Sequence, residues 1–364
     1  EVDAVLISHA HMDHYGLLNY IHPSIPVYLS KGSHALLKIG NVFHPVQNKV
    51  FFDNFKIFEH WQPFEIGPFK ISSYLMDHSA YDASSFLIEA DKKKVFYTGD
   101  FRGHGRKAKL LEQRIKRPIK NVDCMLMEGT TLGGGHKDGY NNETDVEKGL
   151  FDLFSSQKDV SFVMAAGSNV DRLVSLYKAT AKSGKTLVLD LYTYYVLDRL
   201  KEYSKKLPPH QDDHIRIYYI RNHAQNIADS LGEKVLYQYK YRKIEKEEIA
   251  SRRGEMVLRL PVSAMRRLSN YLLQDRPLNE SKFIFSMWPG YLAKDDQFYG
   301  FCKEFGLELH KAHVSGHAYL DALKELVEAL NPEMLIPIHT LSADHYDEHF
   351  RNVHEINDGE SVVL

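Results

Sequence analysis

The pattern of apolar and polar residues divides the chain into regions of different predicted secondary structure. As far as about residue 130, short apolar runs are separated by turn residues, which is typical of strands with tight connections. The segment Asp91-Lys92-Lys93 lies between two such runs and predicts a hairpin turn. The predicted strands are 2–8, 26–29, 55–61, 70–76, 84–90, 93–100 and 123–129, and the predicted helices are about 14–21 and 31–43.

The pattern changes near residue 143, where apolar runs begin to alternate with amphipathic segments. This alternation is typical of an α/β unit with a parallel sheet. Helices are predicted at 143–156, 169–183 and 319–330, strands at 160–166, 185–190, 214–220, 255–261, 282–288 and 334–339, a strand leading into a loop at 307–316, and a terminal hairpin at 353–364. We therefore predict an α/β fold in which a domain at 145–305 is inserted into another formed by 1–144 and 306–364.

Composition excludes several classes of protein. With 43% hydrophobic and 26% charged residues among 364, the chain can bury a sizeable core and is neither disordered nor fibrous. It contains no run of apolar residues long enough for a transmembrane helix, so no membrane partner is expected. Its two cysteines suit a reducing compartment, and we expect a cytoplasmic location. The formal net charge of −2 gives no argument for or against nucleic-acid binding.

A dense group of metal-ligand side chains follows the first predicted strand. In the segment His9-Ala10-His11-Met12-Asp13-His14, four of the six residues carry an imidazole or a carboxylate. Both groups bind zinc and neighbouring first-row metals. Four ligands exceed what one catalytic metal needs if a coordination position is to stay open. We therefore predict two metal ions that share this segment and are completed from elsewhere in the chain.

Three further residues qualify to complete such a site. His78, Asp100 and His339 each lie at or just after the end of a predicted strand, where loops carry functional residues. Taken alone, each histidine is more often an ordinary hydrogen-bonded group than a ligand. Beside the cluster they become expected ligands, and a carboxylate at Asp100 could bridge two ions through its two oxygens.

The order of these ligands along the chain resembles that of the metallo-β-lactamase superfamily. The resemblance implies an αββα sandwich with two zinc ions at the edge of its sheets, although His and Asp ligands also accept manganese. The implied sets are His9, His11 and His78 for the first ion and Asp13, His14 and His339 for the second, with Asp100 bridging. Because the first predicted strand runs straight into the cluster, we expect that earlier strands of this fold are missing from the sequence.

Two more residues resemble motifs of one branch of that superfamily. Glu128 and His317 are similar to motifs A and B of the β-CASP branch, and His339 to motif C. That branch carries an inserted α/β domain between A and B, and it acts on RNA and DNA. The segments Ser315-Gly316-His317 and Gly167-Ser168-Asn169 are similar to ribonuclease J, although Gly167 departs from its pattern. The C-terminal domain of ribonuclease J is expected to be missing here.

The resemblance implies a zinc-dependent phosphodiesterase that hydrolyses single-stranded RNA, with DNA as an alternative, by attack of a metal-bound hydroxide. Asp13, His317 and Glu128 are the expected catalytic residues, Glu128 holding the imidazole of His317 against the scissile phosphate or leaving oxygen. Helix N-termini bind anions, so Ser315-Gly316 and Ser168-Asn169 are candidate phosphate contacts, with ordinary helix capping as the alternative. The oligomeric state is left open.

Other interpretations stay open at this point. Between residues 102 and 120 there are eight basic residues against one acid, which predicts either a contact with a phosphate backbone or a solvated face. Tyr192, Tyr194 and Tyr195 could stack on bases, but core packing is the commoner role. A small-molecule ester or phosphoester hydrolase and a non-catalytic nucleic-acid-binding subunit remain alternatives for the whole chain.

Overall fold

The computed structural model describes residues 2–134, 139–204, 207–208, 212–294 and 297–364, apart from the side chains of 293 and 294. The chain forms two compact units, and each is described by itself. The first contains Glu1–Leu37, Asn48–Lys137 and Ser315–Leu364, and the second contains Lys38–Gln47 and Asp138–Val314.

The regular elements are numbered here in chain order. The strands are β1 (Val5–Leu6), β2 (Val27–Ser30), β3 (Phe55–Phe58), β4 (Phe64–Ile66), β5 (Phe69–Leu75), β6 (Ser84–Ala90), β7 (Lys93–Tyr97), β8 (Cys124–Glu128), β9 (Ser161–Met164), β10 (Thr186–Asp190), β11 (Ile215–Tyr218), β12 (Lys243–Ile244), β13 (Met256–Arg259), β14 (Lys282–Phe285), β15 (Glu308–Lys311) and β16 (Met334–Ile338). The helices are α1 (Met12–Tyr15), α2 (Lys31–Phe43), α3 (Lys109–Lys116), α4 (Glu143–Ser155), α5 (Val170–Lys182), α6 (Leu191–Leu200), α7 (Arg221–Leu231), α8 (Glu233–Tyr239), α9 (Lys246–Ser251), α10 (Val262–Leu272), α11 (Gly290–Lys294), α12 (Gln297–Phe305) and α13 (Leu320–Leu330).

The first unit contains two sheets packed face to face. One is parallel, in the order β1-β2-β3, and the other has the order β16-β8-β7-β6-β5-β4. In the second sheet β16, β8 and β7 are parallel, whereas β6 is antiparallel to both β5 and β7. An apolar cluster that includes Leu6, Tyr28, Phe58 and Phe86 draws its members from both sheets. Sheet-to-sheet burial of these side chains therefore forms the inner layer of the unit.

Helices cover the outer face of each sheet, because side chains of opposite parity point outward. On the parallel sheet, Val27 and Leu29 pack with Leu37 of α2. On the other sheet, Phe96 and Met125 belong to a cluster that includes side chains of α3 and α13. The layers run helix, sheet, sheet, helix, so the predicted αββα sandwich is confirmed.

The second unit is built on a parallel sheet of seven strands among the described residues, in the order β12-β11-β10-β13-β9-β14-β15. Its core contains Phe162, Leu258 and Phe283, each fully buried. A buried ion pair joins α4 to α5, with Arg172 Nε 2.8 Å from Glu143 Oε1. The predicted alternation of strands and helices in this part of the chain is confirmed.

Several local predictions need correction. The helix expected at 14–21 is replaced by the single turn α1 and a 3₁₀ turn at Leu18–Tyr20. β4 and α3 were not predicted. The terminal hairpin expected at 353–364 is wrong, since Val353 makes only a parallel bridge to Leu335 and residues 357–364 are exposed. A hairpin without a buried face is marginal in water, which explains its absence.

The hairpin turn predicted between β6 and β7 is confirmed, and it is a two-residue turn. Asp91 has a φ of 49° and Lys92 a φ of 66°, the pair of positive values that matches the twist of antiparallel strands. Among the described residues, no helix combines the length and the apolar character needed to cross a bilayer.

Candidate metal centre

The predicted ligands converge because of strand direction. β5, β7, β8 and β16 all run the same way, so the loops that follow them meet at one edge of the sheet. His78 lies beyond the end of β5, Asp100 beyond β7 and His339 immediately after β16. The backbone N–H of Ser84, the first residue of β6, donates to Ser8 O at 2.9 Å, which places the loop after β1 at the same edge.

One group of side chains consists of His9, His11, His78 and Asp100, whose ligand atoms all lie within 4.8 Å of one another. His11 Nδ1 lies 3.1 Å from His9 Nε2 and 3.3 Å from His78 Nε2. Asp100 Oδ2 is 3.6 Å from His9 Nε2 and 4.0 Å from His78 Nε2. Ligand atoms of a tetrahedral zinc site are about 3.3 Å apart, given Zn–N distances of about 2.0 Å.

A second group consists of Asp13, His14 and His339. Asp13 Oδ2 is 3.3 Å from His339 Nε2 and 3.7 Å from His14 Nε2. His14 Nε2 also lies 3.1 Å from Asp100 Oδ2, the oxygen that faces the first group. Asp100 therefore lies between the two groups, in the position that the sequence suggested for a bridging carboxylate.

The donor chemistry of both groups fits metal ions. Burial lowers the pKa of His9 and His78 well below the ordinary value and that of His11 to about 4, so these imidazoles are neutral and can ligate. His14 Nε2 and Asp100 Oδ2 are buried and 3.1 Å apart, but among the described residues neither makes a hydrogen bond of good geometry. Polar atoms left in that state are costly unless something binds them, and a cation would.

The pKa values of Asp13 and His339 also fit metal binding at the second group. The hydrogen bond from His339 lowers the pKa of Asp13, and Asp13 in turn raises the pKa of His339 to about 9. Without a metal these two residues thus form an ion pair. A metal ion would replace the proton on His339, so binding at this group releases a proton.

Backbone conformation at the site is unusual in two places. Gly99 has a φ of 58°, and a Cβ there would lie 2.6 Å from Ser84 O, so only glycine brings Asp100 to this position without a clash. His339 has a φ of 49°, in the left-handed region that histidine adopts infrequently. Strained conformations of this kind cluster at functional sites.

Hydrogen bonds fix the orientation of several candidate ligands. His78 Nδ1 donates to Gly316 O at 2.7 Å, which leaves Nε2 as the ligand atom. His339 Nδ1 lies 2.8 Å from Thr130 Oγ1, which itself donates to His339 O at 3.0 Å. Ser8 Oγ is 3.1 Å from His9 Nδ1. The sequence did not single out Ser8 or Thr130, because no local pattern connects them to the histidines they contact.

Glu128 and His317 form a pair beside the ligand groups. Glu128 is fully buried, and its two carboxylate oxygens lie 3.3 Å and 3.2 Å from His317 Nδ1. His317 Nδ1 is also 3.8 Å from Asp100 Oδ2. Burial lowers the pKa of His317, but the Glu128 carboxylate outweighs this effect and holds that pKa above its ordinary value. The pair can therefore present a charged, oriented imidazole next to the metal ligands.

Asp77, which precedes His78, connects the site to the segment after Asp100. Its carboxylate accepts from Gly105 N at 2.7 Å, and its backbone O accepts from Arg102 N at 2.7 Å. Arg102 is fully buried and its Nη1 donates to Ser315 O at 3.0 Å. The prediction that counted Arg102 in a surface basic run is therefore wrong, because burial was not visible in the charge pattern.

The remaining candidate contacts lie in both units. Ser315 Oγ accepts from His317 N at 3.0 Å, so this hydroxyl caps the turn that carries His317. Gly316 lies against Ser79, where a Cβ would come within 2.8 Å of Ser79 Oγ. In the second unit, Asn169 Oδ1 accepts from Arg172 N at 3.1 Å and caps α5, the ordinary role weighed for Ser168-Asn169.

The tyrosines of α6 belong mainly to the interior. Tyr194 is 1% and Tyr195 8% exposed, and Tyr192 is partly buried. Both buried rings contact the ring of Tyr239 in edge or near-edge orientation. Packing rather than base stacking explains Tyr194 and Tyr195.

Comparisons with known proteins show what the chain resembles. A model described as a beta-lactamase superfamily domain matches residues 1–138, and one described as a Zn-dependent metallo-hydrolase RNA specificity domain matches residues 306–359. Similar curated proteins include ribonuclease J of Helicobacter pylori, 23% identical over 93% of this chain and 48% of that protein. Ribonuclease J of Sinorhizobium meliloti is 22% identical over 92% of this chain and 57% of that protein.

The chain thus spans about half the length of the curated relatives that it matches. A crystal structure of a protein of unknown function from Enterococcus faecalis V583 has the same fold, with a TM-score of 0.74 and 21% identity, covering 99% of this chain and 81% of that one. The two family models match segments on either side of the part of the chain that contains β9 to α12. The chain is therefore similar to metallo-hydrolases of the metallo-β-lactamase superfamily at both ends, and it is ribonuclease J-like over more than nine-tenths of its length.

Proposed function

We propose that the protein is a binuclear zinc-dependent phosphodiesterase that hydrolyses single-stranded RNA. The observation that carries the proposal is the convergence of seven imidazole and carboxylate ligands, in two groups joined at Asp100, beside the buried Glu128–His317 pair. The RNA substrate rests on the ribonuclease J relatives and on the RNA specificity domain matched at residues 306–359.

Each ligand group has the composition that zinc takes in catalytic sites. His9, His11 and His78 would hold one ion, and Asp13, His14 and His339 the other, with Asp100 shared between them. Manganese is the alternative for the same ligands. When bound, the two ions would lower the pKa of a water molecule to about 7 and neutralise negative charge on the phosphate oxygens.

The protein's own groups would orient the phosphate and supply a proton. In its charged form, His317 can contact a phosphate oxygen or give its Nε2 proton to the leaving oxygen, while Nδ1 stays bound to Glu128. Asp13 would hold His339 through the 3.3 Å contact with Nε2 before the metal enters, so both residues are preoriented. Ser315 and Gly316 would lie against the phosphate as part of the His317 turn.

The second proposed phosphate contact, Ser168-Asn169, lies at the N-terminus of α5 in the other unit. The Asn169 side chain caps α5, its backbone N–H donates to Ala166 O at 3.2 Å, and the Ser168 hydroxyl hydrogen-bonds Tyr192, so an anion at this helix N-terminus would have to replace existing contacts. We include Ser168-Asn169 in the proposal because it lies at the carboxyl edge of the parallel sheet, where α/β domains bind ligands.

The decisive experiment combines metal content with substrate cleavage. Metals per chain are counted, and the protein is incubated with 5′-monophosphorylated single-stranded RNA and with single-stranded DNA. His317→Ala should keep two metals and lose RNA cleavage, because His317 lies outside the two proposed ligand sets, although its imidazole also lies within 4.8 Å of ligand atoms of Asp100 and His339. His345→Ala is the matched control, since His345 is exposed in the same unit and contacts Glu348 at 3.0 Å.

Two metals with cleavage that disappears only in His317→Ala would support the proposal, and the product ladder would show whether cleavage starts at an end. Two metals without cleavage of RNA or DNA would overturn the nuclease function. That result would favour an ester or phosphoester of a small molecule as the substrate.

A further inference from the structure

Helix α3 carries a row of basic side chains on its exposed face. Leu111 is buried in the outer core of the first unit, Ile115 packs against the same core, and Arg114 lies over the Tyr74 ring at 3.9 Å. These three positions occupy one side of the helix. At 100° per residue, Lys109 and Lys116 therefore point to the opposite side, and both are exposed.

The row continues past the end of the helix. Arg117 closes α3, Lys120 follows three residues later, and both are exposed. None of these four cations has a carboxylate oxygen within 4.0 Å in the part of the chain that the structure describes. Two acidic residues lie nearby, Glu112 on the same helix and Asp321 on neighbouring α13, but neither carboxylate comes within 4.0 Å of these cations. Positive charge is thus concentrated here without protein partners.

The basic face begins close to the metal centre in the same unit. The chain leaves the site at Asp100 and is held by Gly105 N, which donates to Asp77 at 2.7 Å. His104 Nε2 is 2.9 Å from Ser315 O, beside the turn that carries His317. The segment 101–108 is therefore fixed against the walls of the site, and α3 starts directly after it.

Lys109 occupies a position where its charge does not stabilise helix α3. It lies in the first turn of α3, where the helix dipole favours acidic side chains and disfavours a cation. Lys109 therefore gains nothing from the helix dipole, and an anionic ligand would compensate for this position.

We propose that Lys109, Lys116, Arg117 and Lys120 bind the phosphodiester backbone of single-stranded RNA outside the metal centre. The inference rests on the proposed function, because it assigns a second contact surface for the same substrate. The contacts are with phosphates, so the surface adds affinity for long strands without selecting a base sequence.

The test measures how RNA binding depends on salt. Phosphorothioate-linked single-stranded RNA, which resists hydrolysis, is titrated with the zinc-loaded protein at several salt concentrations. Single strands lose affinity with a slope of about −0.7 per phosphate contact in a plot of log K against log salt, so K116Q/R117Q should make the slope shallower by about 1.4. Between 50 and 200 mM salt the wild type should lose about sevenfold more affinity than the variant.

K178Q/K303Q is the matched control, because it removes two exposed cations from helices of the other unit and changes net charge equally. Glutamine preserves helix propensity, and circular dichroism checks that each variant is folded. A shallower slope in K116Q/R117Q alone supports the surface. Equal slopes in the wild type and K116Q/R117Q overturn it.

Cleavage of a dinucleotide gives an independent readout. A dinucleotide has a single internucleotide phosphate, which would occupy the metal centre, so the variant should cleave it at the wild-type rate while its KM for a long strand rises. If the wild type cleaves neither substrate but the slopes still differ, the nuclease proposal fails and the binding surface stands. If both substrates are cleaved with unchanged KM and slope, the binding surface fails and the nuclease proposal stands.

Discussion

Replacing Glu128 with glutamine isolates the role of one buried carboxylate. Its oxygens accept from Phe101 N at 3.0 Å, Ala318 N at 3.5 Å, Thr130 N at 3.3 Å and the imidazole of His317. An amide has one oxygen, so its NH₂ group must face at least one of these donors. One donor left unpaired in the interior costs about 1–3 kcal/mol, and we expect a stability loss of that size.

The effect on catalysis should be larger than the effect on stability. The neutral amide of the Glu128→Gln variant cannot hold the charge on His317, so the imidazole loses both its orientation and the interaction that raises its pKa. Proton transfer by a positioned side chain contributes about 10²–10⁴-fold, and kcat on RNA should fall by a factor in that range. Zinc content, measured by mass spectrometry, should stay at the wild-type value because Glu128 is in neither ligand group.

Glu143→Gln supplies the comparison. Glu143 is also a buried carboxylate, paired with Arg172 in the other unit, and breaking a buried pair costs about 3–5 kcal/mol. We expect this variant to lose stability but to keep kcat at temperatures where it is folded. Our assignment of Glu128 would be refuted if Glu128→Gln kept kcat within about tenfold of wild type, or if both variants lost activity equally.

Three further changes test other parts of the first unit. Gly99→Ala places a Cβ 2.6 Å from Ser84 O at a positive φ, so the free energy of unfolding should fall by at least about 1–3 kcal/mol; an unchanged melting temperature would contradict the close approach. Thr130→Val removes the 2.8 Å contact to His339 Nδ1, and zinc affinity at the second group should weaken about 10–100-fold in chelator competition, with no change if Thr130 does not orient the ring. Burial raises the pKa of Asp82, but hydrogen bonds and a neighbouring histidine lower it below the ordinary value. The stabilisation by this carboxylate is therefore present above a pH of about 4 and is lost as the pH falls. The difference in unfolding free energy between wild type and Asp82→Asn should shrink between pH 6 and pH 3, and a constant difference would show that Asp82 does not titrate in that range.

The convergence of the candidate ligands was predictable because it depends on side-chain type and on strand ends. His9 to His14 follow an apolar run, and His78, Asp100 and His339 follow others, so the sheet itself brings them together. The structure places all seven in two adjoining groups, and a third group joins His317 to Asp100 and His339. Their roles toward metal and substrate stay predictions until metals and products are measured.

Other features were hidden because they depend on tertiary contacts. Thr130 orients His339 across 209 residues of sequence, which no local pattern reveals. Arg102 looks like a surface cation in the sequence but is buried against Ser315 O. Helix α3 was missed because basic side chains obscure its few apolar positions. The terminal hairpin at 353–364 was predicted wrongly because residues 357–364 are exposed, so the sequence pattern had no buried face to support it.

The two sheets of the first unit belong to separate hydrogen-bonded ladders and meet through the apolar layer around Phe58 and Phe86. The candidate ligands are divided between them: His9 to His14 follow a strand of one sheet, and Asp100 and His339 follow strands of the other. A bound ion would therefore act as a removable cross-link between the sheets, at an edge that apolar packing leaves open. The free energy of metal binding would then also hold the sandwich closed, and loss of metal would loosen the fold from its catalytic edge inward.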